Sequence, residues 1–154
     1  MEICTSVEQE KCTIYLSLGS NLGDREQNLL HALQLIGARI GSLVRCSSFY
    51  YSEPWGFQSE HSFCNLCVSF CTSLSPLEIL HATQQIERAM GRTHKSHHGH
   101  YQDRLIDIDL LLYITPDGRS LPILTPDLTL PHPLIHLRSF VMTPLIEILP
   151  APTV

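Results

Sequence analysis

Charge is scarce in this chain: 16% of its 154 residues are Asp, Glu, Lys or Arg, against roughly a quarter in an average globular protein. With 44% hydrophobic residues, that balance excludes an intrinsically disordered chain, which needs the opposite one. Positive charge is scarcer still, 10 Lys and Arg against 15 Asp and Glu, for a formal net charge of −5. No global positive field exists to hold duplex DNA or an acidic bilayer, so neither nucleic acid nor membrane is an expected partner. The polar opening MEICTSVEQEK lacks the apolar centre of a signal peptide, and no apolar run approaches the ~18 residues of a membrane span. A cytoplasmic protein is expected. Without an export signal, the six cysteines read as reduced thiols rather than a disulfide framework. Internal repeats, low-complexity tracts and composition breaks are also lacking, so the expectation is a polar tail over 1–11 and a single domain over 12–154.

The elements that are present follow one another clearly. Residues 13–18 alternate Ile14, Leu16 and Leu18 with Thr13, Tyr15 and Ser17, a strand pattern. The stretch from Gly19 to Gly23 reads as a turn, and Asp24 with Gln27 reads as a capping box opening a helix whose stripe is Leu29, Leu30, Leu33 and Ile36. A second strand is expected over 43–51 and a third over 62–72, pairing as an antiparallel hairpin. Ser75-Pro76-Leu77-Glu78 opens a helix that Gly91 stops, by serine cap, proline at the first position and a returning glutamate. Residues 104–113 form a fourth strand, 121–124 a short run, and 138–149 a helix despite Pro144. Strand, helix, strand, strand, helix, strand is the ferredoxin-like βαββαβ order: an α+β fold with helices on one face of an antiparallel sheet, here with a C-terminal extension. Many functions use that fold, so it selects none.

Several clusters invite chemistry. Cys64, Cys67 and Cys71 contain a Cys-x-x-Cys spacing, but within a strand residues three apart point to opposite faces, which favours small buried hydrophobes over a zinc site. His94, His97, His98 and His100 fall in a segment that also gathers Arg88, Arg92, Lys95 and Arg104; it is either a solvated loop or a flap that closes on phosphates. Asp107 and Asp109 share a strand face about 6 to 7 Å apart. Either that face meets solvent or the pair holds a hard divalent cation, because burying both carboxylates unpaired costs several kcal/mol. Gln84 and Glu87 lie three apart at the edge of the second helix's buried stripe, as ligand groups or as its rim.

Taken in order, Leu18-Gly19-Ser20-Asn21-Leu22-Gly23, Glu53-Pro54-Trp55-Gly56, Phe63-Cys64-Asn65, Glu87 through Gly91-Arg92, Arg104 with Ile106-Asp107-Ile108-Asp109, Pro131-His132-Pro133 and Arg138-Ser139-Phe140 resemble the 6-hydroxymethyl-7,8-dihydropterin pyrophosphokinases of folate biosynthesis. The resemblance spans nearly the whole chain. It implies transfer of pyrophosphate from ATP to the pterin hydroxymethyl group with release of AMP. Asp107 and Asp109 would be ligands of two Mg²⁺ ions, with Asp107 also a candidate general base. Arg92, Lys95 and Arg104 would stabilise the transferred phosphates. Nucleotide would be carried by Gln84, Glu87, Tyr101, Arg104, Leu110, Thr129, His132 and Arg138, in part through main-chain atoms. Pterin would lie between Phe63 and Phe140, with Asn65 at its polar edge and Ser52 and Trp55 completing the slot.

The chain also departs from the family pattern. His94 stands where a second arginine is common, so the expected rate rises with protonation of His94; Tyr101 replaces a frequent tryptophan; and the chain ends soon after Pro150, where some relatives carry a longer tail. A monomer is expected, with other folate enzymes as candidate associates. Two functions of other classes share the topology, a ligand-sensing module and an RNA-binding domain. The first leaves the acidic pair without purpose, and the second needs exposed aromatics on a basic sheet.

Overall fold

The computed structural model describes residues 11–53, 62–91 and 105–150. Its strands are β1 (Cys12–Ser20), β2 (Gly41–Cys46), β3 (Tyr50–Ser52), β4 (Phe63–Thr72), β5 (Asp107–Ile114), β6 (Ile123–Leu124) and β7 (Thr129–Leu130), and its helices are α1 (Arg25–Arg39), α2 (Pro76–Ala89) and α3 (Ser139–Ile148). The main sheet runs β2, β4, β1, β5, with β3 also pairing β4, and every pairing is antiparallel. This is the ferredoxin-like order, fourth strand, first, third, second, once β2 and β3 are taken as one divided strand.

The division has a local cause. Ser47 donates its N–H to Cys67 O at 2.9 Å, while its Oγ accepts the Cys67 N–H at 3.0 Å. The side chain thereby takes a bond that a regular ladder gives to a carbonyl, and the strand breaks between Cys46 and Tyr50.

Helix α2 starts as its sequence dictates: Ser75 Oγ accepts the Glu78 N–H, Glu78 Oε1 accepts the Ser75 N–H, and Pro76 occupies the first turn. Gly91, with φ of 109°, follows its end. At α1, Asp24 accepts the Gln27 N–H at 3.2 Å. The buried stripe of α1 is Leu29, Ala32 and Ile36, and Leu30 is 44% exposed. Leu30 sits about 100° round the helix from Leu29 and so turns off the packed face.

Two cores flank the sheet. Ile14, Leu16 and Leu18 pack with Leu29, Ile36, Ile79 and Ile86 of α1 and α2, each fully buried side chain contributing about 1.5 to 3 kcal/mol. On the opposite face, Tyr15, Cys67 and Leu111 pack with Ile135 and with Val141, Leu145 and Ile148 of α3. The two helices of the βαββαβ unit share one face as expected, and the C-terminal helix α3 covers the other. The segment that looks like an extension is a working layer, because β1 is apolar on the α3 side at Tyr15 as well. Cys64 lies in the first core and Cys67 in the second, as strand alternation requires. A bulge between Tyr15 and Leu16 adds one residue to β5, so Leu111 and Leu112 both turn toward α3. Among the described residues no helix is long and apolar enough to cross a membrane.

Candidate active site

The polar residues gather on the sheet face that α3 partly covers. The register sets Gly19 of β1 between Asn65 of β4 and Asp107 of β5, and Ser17 between Cys67 and Asp109. Cross-strand partners share a face, so the two carboxylates, the amide and Ser17 open on the same side.

Gly19 leaves a gap in its row. A Cβ placed there would lie 3.1 Å from Asn65 Oδ1 and 3.4 Å from Phe63 Cδ1. Room is thus kept over the central strand, with an amide and an aromatic ring on one side and a carboxylate on the other. Asn65 is buried, and its Nδ2 donates to Ser52 Oγ at 2.7 Å and to Tyr50 O at 3.1 Å. Those two bonds use both amide hydrogens and fix Oδ1 as the atom turned toward Gly19.

Helix α3 brings the remaining groups. Arg138, just before its first residue, places Nη1 3.6 Å from Asp109 Oδ2 and Cζ 5.9 Å from the centroid of the Phe140 ring. Its side chain is 11% exposed and that of Asp109 34%. One guanidinium therefore neutralises a carboxylate and stands over an aromatic face.

His132 is held from both sides. Its main-chain N–H donates to Leu111 O at 2.9 Å, and its ring Nδ1 accepts the Leu134 N–H at 3.1 Å. Burial first, and Arg138 second, lower its pKa below the ordinary histidine value against the opposing pull of Asp107. The ring is accordingly neutral at pH 7, with its proton on Nε2.

Of the other expected nucleotide residues, Glu87 is buried and its Oε2 accepts the Ile108 N–H at 2.8 Å. Gln84 is half-buried one turn earlier on α2, and Thr129 is half-buried on β7. Leu110 turns its side chain into the core beneath α1 and α2, leaving only its main chain for a ligand. Trp55, Arg92, His94, Lys95, Tyr101 and Arg104 lie outside the described residues, as do His97, His98 and His100. Among the described residues no group of three or more His, Cys, Asp or Glu converges as a metal site.

Sequence reasoning overlooks Gly19, Ser17, Tyr50 and Glu147. Gly19 reads as part of a turn, whereas it is a strand residue whose meaning depends on Asn65 across the sheet. A glycine closing an alternating apolar strand was the available signal.

Comparison with known proteins points one way. The sequence profile of the family described as 7,8-dihydro-6-hydroxymethylpterin-pyrophosphokinase (HPPK) matches residues 15–150. A Porphyromonas gingivalis protein named 2-amino-4-hydroxy-6-hydroxymethyldihydropteridine pyrophosphokinase is 50% identical over 138 residues, covering 89% of this chain and 90% of its own. A Bacillus subtilis protein of the same name is 39% identical over 135 residues, covering 87% of this chain and 76% of its own. The fold is similar to that of a Plasmodium falciparum HPPK-DHPS crystal structure, with a TM-score of 0.63 at 13% identity, over 86% of this chain and 40% of that longer one.

Proposed function

Since this chain belongs to the 7,8-dihydro-6-hydroxymethylpterin-pyrophosphokinase family, we propose that it is an ATP- and Mg²⁺-dependent enzyme of folate biosynthesis, a single domain over 12–154 working in the cytoplasm. The hydroxymethyl oxygen of the dihydropterin attacks the β-phosphorus of ATP. The bond from that phosphorus to the α-phosphate bridging oxygen breaks, AMP leaves, and the hydroxyl proton is given up.

The observation that carries this reading is the shared face: Asp107 and Asp109 open on the side of Asn65 and Phe63, with Gly19 between Asp107 and Asn65. That a carboxylate pair shares a face with an aromatic ring and a buried amide supports a reaction between a triphosphate and a bicyclic alcohol.

Asp107 and Asp109 would hold two Mg²⁺ ions. The donor set fits, since two half-buried carboxylates suit a hard cation that completes its shell with water and phosphate oxygens. When bound, those ions neutralise the triphosphate and favour in-line displacement. Phe63 and Phe140 stack on the pterin faces, Asn65 Oδ1 accepts from its ring edge, and Ser52 holds that amide. Arg138 balances charge at Asp109 and at the nucleotide. Arg92, Lys95, Arg104, Tyr101 and Trp55 take their roles from the family resemblance alone.

Other folate enzymes are the proposed associates of a monomeric chain, an idea supported by the longer HPPK-DHPS relative. The test is AMP formation from ATP and 6-hydroxymethyl-7,8-dihydropterin with and without Mg²⁺. Replacing both Asp107 and Asp109 by Ala should lower the rate by about 10³-fold or more. No AMP from the parent enzyme at saturation, or an undiminished double variant, overturns the reading.

A further inference from the structure

We propose that Glu147 is a positioning residue that sets the separation of the two walls of the pterin slot, and so governs pterin affinity without touching the pterin. The inference rests on the reading of Phe63, Asn65 and Phe140 as that slot.

One wall stands on the sheet and the other on α3, so the slot is only as well defined as the docking of that helix. Most of the docking is apolar, through Val141, Leu145 and Ile148 against Tyr15, Cys67 and Leu111. Apolar contact is non-directional and lets a helix slide or roll by fractions of an ångström. Glu147 adds directional bonds. Its Oε1 accepts the Ser48 N–H at 3.0 Å and the Ser48 hydroxyl at 2.7 Å, and its Oε2 accepts the Tyr50 hydroxyl at 3.0 Å. Those bonds hold the Glu147 carboxyl below its usual pKa, so the clamp is charged at neutral pH.

The clamp reaches both walls. Phe140 and Glu147 are seven residues apart on α3, which places them on nearly the same helix face about 10 Å apart along the axis. At the other end, the strand residue gripped by Glu147 is the one whose carbonyl accepts from Asn65 Nδ2 at 3.1 Å. The path therefore runs from Phe140 along α3 to Glu147, across to Tyr50, and through its main chain to the amide that faces Gly19. Because Glu147 is exposed, shortening it opens no cavity, and its removal loosens the walls while the apolar seam keeps the fold.

The experiment compares Glu147→Ala, Glu147→Gln and Tyr50→Phe with the parent, reading KM for the pterin and for ATP separately, kcat, and thermal unfolding. For Glu147→Ala, pterin KM should rise about five- to thirtyfold with ATP KM within twofold. Glu147→Gln, which keeps an acceptor for Ser48, should recover most of that loss, and Tyr50→Phe should cost less than Glu147→Ala. An unchanged pterin KM in a folded Glu147→Ala protein, or equal rises in both KM values, overturns the proposal. Should Glu147→Ala fail to fold, Tyr50→Phe decides it by the same split between the two KM values. A parent enzyme that makes no AMP instead sinks the functional reading, so the two failures are distinct.

Discussion

Glu87 Oε2 accepts the main-chain N–H of Ile108 at 2.8 Å, so a carboxylate buried on α2 grips the residue that separates Asp107 from Asp109. Strand β5 is a sheet edge, and edge amides turned outward need a partner. Glu87 supplies one at the point where the strand's side chains must be held still. Replacing Glu87 by Ala orphans that amide and should cost about 1 to 3 kcal/mol of folding stability. Gln, which can still accept, should lose less. Urea unfolding of the two variants checks this, and equal stabilities would contradict it.

Gly19→Ala tests the gap in the central strand. The new methyl would sit 3.1 Å from Asn65 Oδ1, forcing the amide to give way by a few tenths of an ångström against its bonds to Ser52 and Tyr50. Pterin KM is expected to rise by about tenfold, equivalent to ~1.4 kcal/mol, with a smaller change in ATP KM. Steady-state kinetics with each substrate varied in turn gives the answer.

Acid should erase the contribution of Glu147. Its folded pKa lies below the usual carboxylate value because Ser48 and Tyr50 donate to it. The folded state thus binds fewer protons than the unfolded chain between those two values, and stability falls as pH drops through them. Glu147→Gln should be less stable than the parent at pH 7, and that gap should close in acid below the folded pKa. Melting temperatures followed from pH 7 down to the acid limit of the folded state measure it; a gap that stays constant over the whole range refutes the assignment.

Thiol chemistry should separate the two faces of the sheet. Burial pushes the Cys67 thiol up to about 12 and that of Cys64 up to about 11, so both are protonated and covered at pH 8. Partial burial and the nearby Glu147 raise the Cys46 thiol as well, but Cys46 is exposed on β2, so access decides the contrast. Site-resolved mass spectrometry after brief alkylation of the native protein should show Cys46 modified well before Cys64 or Cys67, both of which react on unfolding. Early labelling of Cys67 would mean that α3 does not stay docked.

The sequence discloses whatever is governed by local spacing. Alternation gives β1, Ser75 and Glu78 give the start of α2, and a period of two puts Asp107 and Asp109 on one face. Relations that span the fold stay hidden. Nothing near Gly19 tells that Asn65 will lie across from it, and Glu147 meets Ser48 and Tyr50 over 99 and 97 positions of chain. The side of the sheet that α3 covers is equally silent, because a helix's apolar stripe says that it docks but not upon which surface. Arg138 illustrates the limit: family likeness assigns it to nucleotide, while the fold also pairs it with Asp109.

The irregularity in β5 opposite Tyr15 and Leu16 resets the strand's alternation. Asp107 and Asp109 obey one parity, Leu112 and Ile114 the other, yet all four face α3. The acidic end and the greasy end of a single strand are thereby uncoupled, and evolution can revise the chemistry at one without re-phasing the packing at the other.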